Sequence, residues 1–477
     1  MGANIGLAYL AGAARQAGHK VAVLDLNHFR QAIPETFLKE AIRRCQPDLL
    51  GFSVLTLSYP GTAKLLATLR HYYHGFVVLG GAHVSVERTN LLNKHPEVDC
   101  LVIGEGEKTL LSLLEHLAGA KNLTEIPGLI YREKGHLKEN PPELIRDLDF
   151  LPFPEYRILG VEKMETYPLL TSRGCPYHCT FCLAAALSNR KWRPRAVEFL
   201  VEELHQARHL YQIKAFTIMD DCFTLDLARA EKFCDLLIAS GWNLPWQCSN
   251  GIRADRVNEN LVKKMKQAGC QRVFLGVESL VPEVFNMVKK GEELQKILDA
   301  IKLFKKFGIW VGTFHIIGLP GDTYERTMES YRRSKKLGVD RSVWQLLVPF
   351  PGTEVHQWVS QFGRQCSPYD QATSFGTVTF DTPDFPEPLR REAFLKLSLR
   401  NSLFPTDSRL SNAQNARRLV YWFFRYHPLG APALLASLAW KAARFLLLGE
   451  SRARARAQFN VNLAFTDFPL PGSPLPA

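Results

Sequence analysis

No secretory leader is read at the start of this 477-residue sequence. Its ten cysteines therefore point to a reducing compartment, where thiols act as ligands or packing groups. Extremes of charge are absent too. With 22% charged and 46% hydrophobic residues the balance is that of an ordinary globular protein, which excludes long disorder. A chain of this length accommodates two to three domains, each with its own core. The net charge of +12 is local: residues 401–477 carry nine basic groups against three acidic ones, half of the excess. Basicity therefore says little about the rest of the chain, and no nucleic-acid partner is expected.

The most specific feature is a cysteine set that is one thiol short. Cys175, Cys179 and Cys182 lie in the segment Thr-Ser-Arg-Gly-Cys-Pro-Tyr-His-Cys-Thr-Phe-Cys. Three thiolates leave a tetrahedral zinc site incomplete, and they leave one iron of a four-iron cluster open to an outside ligand. Gly174 and Pro176 deny the segment a helical start, so it reads as a loop leaving a strand over 167–171. Zinc with a remote fourth ligand, a disulfide plus a spare thiol, and three core cysteines are the competing readings. Spacing and context favour the cluster. The other seven cysteines (Cys45, Cys100, Cys222, Cys234, Cys248, Cys270, Cys366) are scattered, mostly in apolar stretches, and read as core packing.

The segment resembles the signature of the radical S-adenosylmethionine (SAM) superfamily, C-x-x-x-C-x-aromatic-C, with Phe181 at the aromatic position. The resemblance implies a 4Fe-4S cluster held by Cys175, Cys179 and Cys182. It also implies that SAM chelates the open iron and is cleaved to a 5′-deoxyadenosyl radical.

Ahead of the triad, helical runs (3–18, 35–45, 61–73, 107–117) alternate with apolar strand-like runs (21–26, 49–54, 76–80, 100–103). Such alternation predicts a parallel sheet covered on both faces, with ligands beyond the carboxyl ends of its strands. Ser53, Gly80-Gly81-Ala82-His83 and Gly104-Glu105-Gly106 fall there. Ser53-Val54-Leu55, then 24 residues, then Gly80-Gly81 resembles the Ser-x-Leu…Gly-Gly pattern of cobalamin-binding Rossmann-like domains. The resemblance implies cobalamin contacts at Ser53, Leu55, Gly80 and Gly81. The Asp-x-His-x-x-Gly motif that supplies a histidine to cobalt is absent, since Asp25-Leu26-Asn27-His28 has the wrong spacing, and His28 reads as a loop histidine. Relatives open with a strand before the helix that here reads Gly6-Leu7-Ala8-Tyr9-Leu10, so a missing first strand is expected.

Residues 123–165, with Pro127, Pro141-Pro142, Pro152 and Pro154, read as an extended bridging strap. Beyond the triad, strands over 167–171, 215–219, 245–250, 272–277, 310–317 and 343–348 alternate with helices over 197–211, 227–239, 259–268, 293–307 and 324–337. Six β/α units predict an open (β/α)6 partial barrel, the radical SAM architecture. The strand ends carry Asp220-Asp221, Arg253, Glu278-Ser279 and Gly318-Leu319-Pro320-Gly321. By resemblance, Asp220 and Asp221 lie near the methionine amino group of SAM, and Glu278 and Ser279 near its ribose or carboxylate. Gly318 to Gly321 form the adenine platform, and Arg253 is a further cofactor-binding candidate. His315 reads as a core or edge histidine.

The predicted organisation is thus a Rossmann-like cobalamin-binding domain (1–122), a bridging segment (123–165), a radical SAM partial barrel (166–370) and a helical, basic C-terminal extension (371–477). The apolar run 429–449 contains Pro432, Lys441 and Arg444, which oppose bilayer crossing. A basic amphipathic helix on an anionic membrane and helices packed on the barrel both fit. The resemblance implies a methyltransferase acting on an unactivated carbon through a 5′-deoxyadenosyl radical and methylcobalamin. The alternatives are a non-methylating cyclisation or rearrangement, or a cobalamin- or SAM-binding sensor. Expected partners are a small-molecule or lipid-like substrate and an electron donor such as flavodoxin or ferredoxin. The expected location is the cytoplasm, with peripheral membrane contact through the tail as an option.

Overall fold

The computed structural model describes residues 4–24, 35–371 and 376–401. Two sheets organise them. The first has five strands in the order β1 (Leu49–Ser53), β2 (Phe76–Gly80), β3 (Cys100–Val102), β4 (Leu129–Glu133) and β5 (His136–Glu139). β1, β2 and β3 pair in parallel and are continuous apolar runs, as burial on both faces requires. Val77, Leu79 and Leu101 pack on one side with the flanking helices, and Val78, Cys100 and Val102 on the other.

Two expectations need correction here. The strand expected over 21–26 does not form in its described part: residues 21–24 belong to no strand, while 25–26 and His28 lie outside the described residues. An apolar run becomes a strand only where a neighbour takes its backbone hydrogen bonds. The expected strap also contains a hairpin. β3, β4 and β5 pair antiparallel, so the first sheet continues to Glu139. The prolines flank the stretch 128–140 and leave its ladder intact, and Lys134 and Gly135, both at positive φ, make the tight turn.

β6 (Thr166–Leu169) opens the second sheet and is followed by a two-stranded ladder of β7 (Ser172–Arg173) and β8 (Arg193–Pro194). The sheet continues with β9 (Ala215–Ile218), β10 (Trp246–Ile252), β11 (Cys270–Glu278), β12 (Trp310–Ile317) and β13 (Arg341–Leu346). Its six strands are parallel and run in the order β13-β12-β11-β10-β9-β6, an open arc that forms the partial barrel. Phe216, Trp246, Val273, Leu275 and Val311 anchor its core against the outer helices. Several loops at the carboxyl ends of the strands run into capped helices. Asp226, Asn258, Thr323 and Thr353 each accept a hydrogen bond from the amide three residues on, which fixes where the next helix starts.

A short ladder of β14 (Arg364–Gln365) and β15 (Phe380–Asp381) leads to the helix Glu387–Asn401, which packs Ala393 and Leu397 against Ile317, Trp344 and Leu346. The described part of the extension is thus a short strand followed by a helix, and the run 429–449 lies outside the described residues. Among the described residues no helix is long and apolar enough to cross a membrane.

Candidate active site

The cysteine loop leaves the end of β7. Gly174 sits at φ +88°, and a Cβ there would lie 2.3 Å from the Lys191 carbonyl oxygen, so no other residue fits this turn. The loop is held from both sides: the Thr180 amide donates to Val288 O (2.9 Å), and Thr180 O accepts from the Val355 amide (3.0 Å). Cys182 begins the short helix Leu183–Leu187. Phe181 and Cys179 pack against Val281, Val284, Val288 and Leu319, so the aromatic position joins the loop to the Gly318–Gly321 turn.

The Cys222 thiol within hydrogen-bonding reach pulls Cys175 down to about 7, whereas burial pushes Cys179 up to about 12 and Cys182 up to about 11. Cys222 is itself pushed up by Cys175 and by burial. It is buried, as core packing predicts, and it also borders the loop. Cys100, Cys234, Cys248 and Cys270 are buried in the cores, while Cys45 is exposed and Cys366 half-buried.

Around the loop the strand ends gather charge. Glu278 follows a bulge in β11 and holds a left-handed backbone (φ +62°), unusual for a residue with a side chain. Its carboxylate meets the buried Lys290 ammonium at 3.4 Å, and Lys290 also meets Glu292 at 3.4 Å and donates to Gly276 O. Burial pushes Glu278 up; it pulls Lys290 down, but Glu278 and Glu292 outweigh it and hold the ammonium above its usual range. Arg253 stacks on the Tyr177 ring of the cysteine loop (3.4 Å to its centre), pairs with Asp255 (2.8 Å) and donates to Lys290 O (2.7 Å). Arg256 also meets Asp255 (3.8 Å) and donates to the Tyr177 hydroxyl (3.1 Å), so three cations face three carboxylates. Around Lys290 itself two carboxylates share one ammonium, which suits a ligand bearing an ammonium or sulfonium group.

The remaining predicted residues divide. Asp220 is fully buried, and its carboxylate accepts from the Thr171 amide (2.6 Å) and from the Thr171 and Ser172 hydroxyls, which ties the end of β6 to β9. Asp221 is exposed at the edge of the loop, yet crowding by the surrounding protein pushes it up, against the Gly174 amide, which favours its charged form. The Ser279 hydroxyl accepts from the Val281 amide (3.2 Å) in a local turn. Gly318 and Pro320 are buried; the Gly318 amide donates to Asp322 (2.9 Å) and its carbonyl accepts from Arg390 (3.4 Å). Burial pushes Asp322 up to about 6. His315 stacks on Trp344 (4.2 Å between ring centres) in the core, and burial pulls it down to about 3.

On the first sheet, Ser53 pairs with Gly80 at the carboxyl edge, so the Ser-x-Leu and Gly-Gly segments lie side by side. Gly81 (φ +105°) passes so close to β1 that a Cβ would lie 2.7 Å from Val54 O. Leu55 is 54% exposed beside them. This neutral edge fits the close approach of a large macrocycle such as cobalamin. The three thiols fit an iron–sulfur cluster by donor type, and Cys179 and Cys182 each feel Cys175. Among the described residues no group of three or more His, Cys, Asp or Glu is gathered closely enough for a metal ion, so the ligand role of the three thiols rests on their donor type and spacing. Lys290, Glu292, Tyr177 and Cys222 escaped sequence reasoning, and no spacing pattern marks any of them.

Fold and site together define a class: a partial-barrel enzyme built around a three-thiol loop, with a Rossmann-like sheet ahead of it. Residues 169–334 match the radical SAM superfamily, and residues 2–114 match the B12 binding domain. The chain is 32% identical to an uncharacterised methyltransferase of Pyrococcus horikoshii over 75% of its own length and 78% of that protein. It is 26% identical to the anaerobic magnesium-protoporphyrin IX monomethyl ester cyclase of Rubrivivax gelatinosus, over 79% of this chain and 68% of that one. In fold it is similar to TsrM, a radical SAM methyltransferase of Kitasatospora setae solved with cobalamin and a [4Fe-4S] cluster. That likeness has a TM-score of 0.68 at 18% identity and covers 84% and 88% of the two chains. The chain belongs to the cobalamin-dependent radical SAM methyltransferase family, and its cofactors are a 4Fe-4S cluster, SAM and cobalamin.

Proposed function

We propose that this enzyme methylates an unactivated carbon of a small-molecule or lipid-like substrate. One observation carries the reading: a three-thiol loop beside a buried Glu278–Lys290–Glu292 charge cluster and a neutral, glycine-lined sheet edge occur in one chain. When bound, the cluster and SAM supply a carbon-centred radical, and cobalamin supplies the methyl group. Cys175, Cys179 and Cys182 hold the cluster, and Phe181 seats the loop on the apolar floor beneath it. Glu278, with Lys290 and Glu292 behind it, offers the charge that receives the SAM ammonium, while Arg253 steadies Tyr177 and the loop. Asp221 lies at the mouth. Ser279, Gly318 and Pro320 shape the ribose and adenine side, and Asp220 acts by pinning Thr171 and Ser172. Ser53, Leu55, Gly80 and Gly81 form the bed for cobalamin. A flavodoxin- or ferredoxin-like donor, a cytoplasmic location and peripheral membrane contact through the basic tail belong to the same proposal.

Anaerobic reconstitution with iron, sulfide and cobalamin, followed by incubation with methyl-labelled SAM and candidate acceptors, tests the reading. The expected product gains one labelled CH2 unit, and Cys182→Ala loses the cluster absorbance and 5′-deoxyadenosine together. An unlabelled, rearranged or dehydrogenated product would replace methylation with a cyclase-type reaction.

A further inference from the structure

Glu105 and Glu107 follow β3 at the carboxyl edge of the first sheet, one before and one inside the helix Gly106–Leu117. Both carboxylates leave their own sheet and reach the ladder that flanks the cysteine loop. Glu105 grips Arg193 with both oxygens (2.7 and 2.8 Å) and touches Arg173 at 3.2 Å, while Glu107 meets the other arm of Arg173 at 2.5 Å. Arg173 immediately precedes Gly174-Cys175, and it lies directly opposite Arg193 in the β7–β8 pairing. Two cations facing each other across a ladder repel, so this pairing depends on the carboxylates between them. Glu105 also accepts from the Ile145 amide (2.7 Å), and Arg193 donates to Ile145 O (2.6 Å), which draws the strap into the same knot. A second layer lies beneath: the Arg173 guanidinium stands over the Tyr9 ring (5.3 Å), and the Tyr9 hydroxyl accepts from Arg195 (3.1 Å). Arg195 pairs with the buried Glu203 (2.6 Å). Burial pushes Glu105 up, but Arg193, Arg173 and the Ile145 amide outweigh it and keep the carboxylate charged.

We propose that the Glu105–Glu107–Arg173–Arg193 cluster is a latch that sets the cobalamin-binding sheet at a fixed position against the cysteine loop, making these four side chains positioning residues for the two cofactors. This rests on the proposed two-cofactor reading. A bidentate arginine–carboxylate pair fixes orientation as well as distance, which a single apolar contact does not. Arg173 is two residues from Cys175, so a shift of the sheet reaches the first cluster ligand through one stiff turn.

The test uses the full chain with Glu105→Gln, which keeps the shape and removes the charge. Arg193→Lys serves as a second variant that keeps the charge and loses the fork. In the cofactor-free protein, hydrogen exchange of amides 172–183 and 193–196 should rise about tenfold or more in either variant. Asp99→Asn is the control. Asp99 pairs with Arg70 (2.7 Å) within the first half, so its loss should loosen that half and leave the cysteine loop unmoved. In the reconstituted protein, pulsed EPR between the reduced cluster and cob(II)alamin should give one narrow separation for the natural chain and a broad or shifted one for the variants. Unchanged exchange and an unchanged separation in both variants would overturn the latch, as would loop exchange rising equally in Asp99→Asn. A natural chain that takes up no cobalamin would overturn the two-cofactor reading, while the exchange measurement still decides whether the latch couples sheet and loop.

Discussion

At the carboxyl edge of the six-stranded sheet charge is concentrated: Lys290, Arg253 and the more exposed Arg256 stand among Glu278, Glu292 and Asp255. The five-stranded sheet presents serine, leucine and paired glycines at the corresponding edge, and its carboxylates Glu105 and Glu107 are turned away onto Arg173 and Arg193. The contrast follows from the ligands each edge would take. A small zwitterion with a sulfonium is recognised by fixed charges in a medium where they are weakly screened. A broad macrocycle needs close backbone approach and apolar contact, and an unpaired charge beneath it would only carry a desolvation cost. On the proposed reading, one half recognises by charge and the other by shape.

Four substitutions sharpen or break that contrast. Lys290→Met should act most strongly, because it leaves Glu278 and Glu292 buried without their ammonium. The expected loss is about 3–5 kcal/mol in denaturant unfolding of the cofactor-free protein, with weaker SAM binding. An unmoved midpoint would show that the pocket does not depend on charge. Gly81→Ala should follow, at about 1–3 kcal/mol, from the strained φ and the approach to Val54. Cobalamin uptake should fall while the cluster absorbance stays; equal loss of both would erase the distinction between the halves.

The smallest effect concerns pH. Burial pulls His83 in the first half down to about 4, against Asp370, which raises it, and Lys94 and His95, which lower it further; Thr56, Tyr59 and Tyr369 also face the ring. His315 in the barrel is pulled down to about 3. A histidine depressed in the fold contributes stability above its unfolded value near 6.5. That contribution is lost as pH falls through the window down to the folded value. Melting temperature should therefore drop from pH 7 to pH 5, with His83→Gln and His315→Gln each removing part of the slope. A full slope in both variants would place the acid sensitivity elsewhere.

Much of this was legible in the sequence because it depends on neighbours along the chain. The triad spacing, the six β/α alternations and the two Gly-rich turns are local patterns, and each lies where strand periodicity predicted. The prolines over 123–165 predict a strap, but they flank the stretch 129–139, where a short apolar run and the Lys134-Gly135 turn form a hairpin. Asp220 was legible as a strand-end acid, but its commitment to Thr171 and Ser172, 49 and 48 residues away, was not. Cys222 is buried as its packing reading predicts, but nothing in its own chain neighbours signals its approach to Cys175.

The sequence by itself determined the family, the cofactors and the three thiols, since ligand type and spacing are written in consecutive residues. Only the tertiary structure decided which charges meet. Lys290 lies between Glu278 and Glu292, and Glu105 closes on Arg193 across 88 residues. Coulombic pairing depends on distance in space and on burial, and neither is a property of any window of the chain.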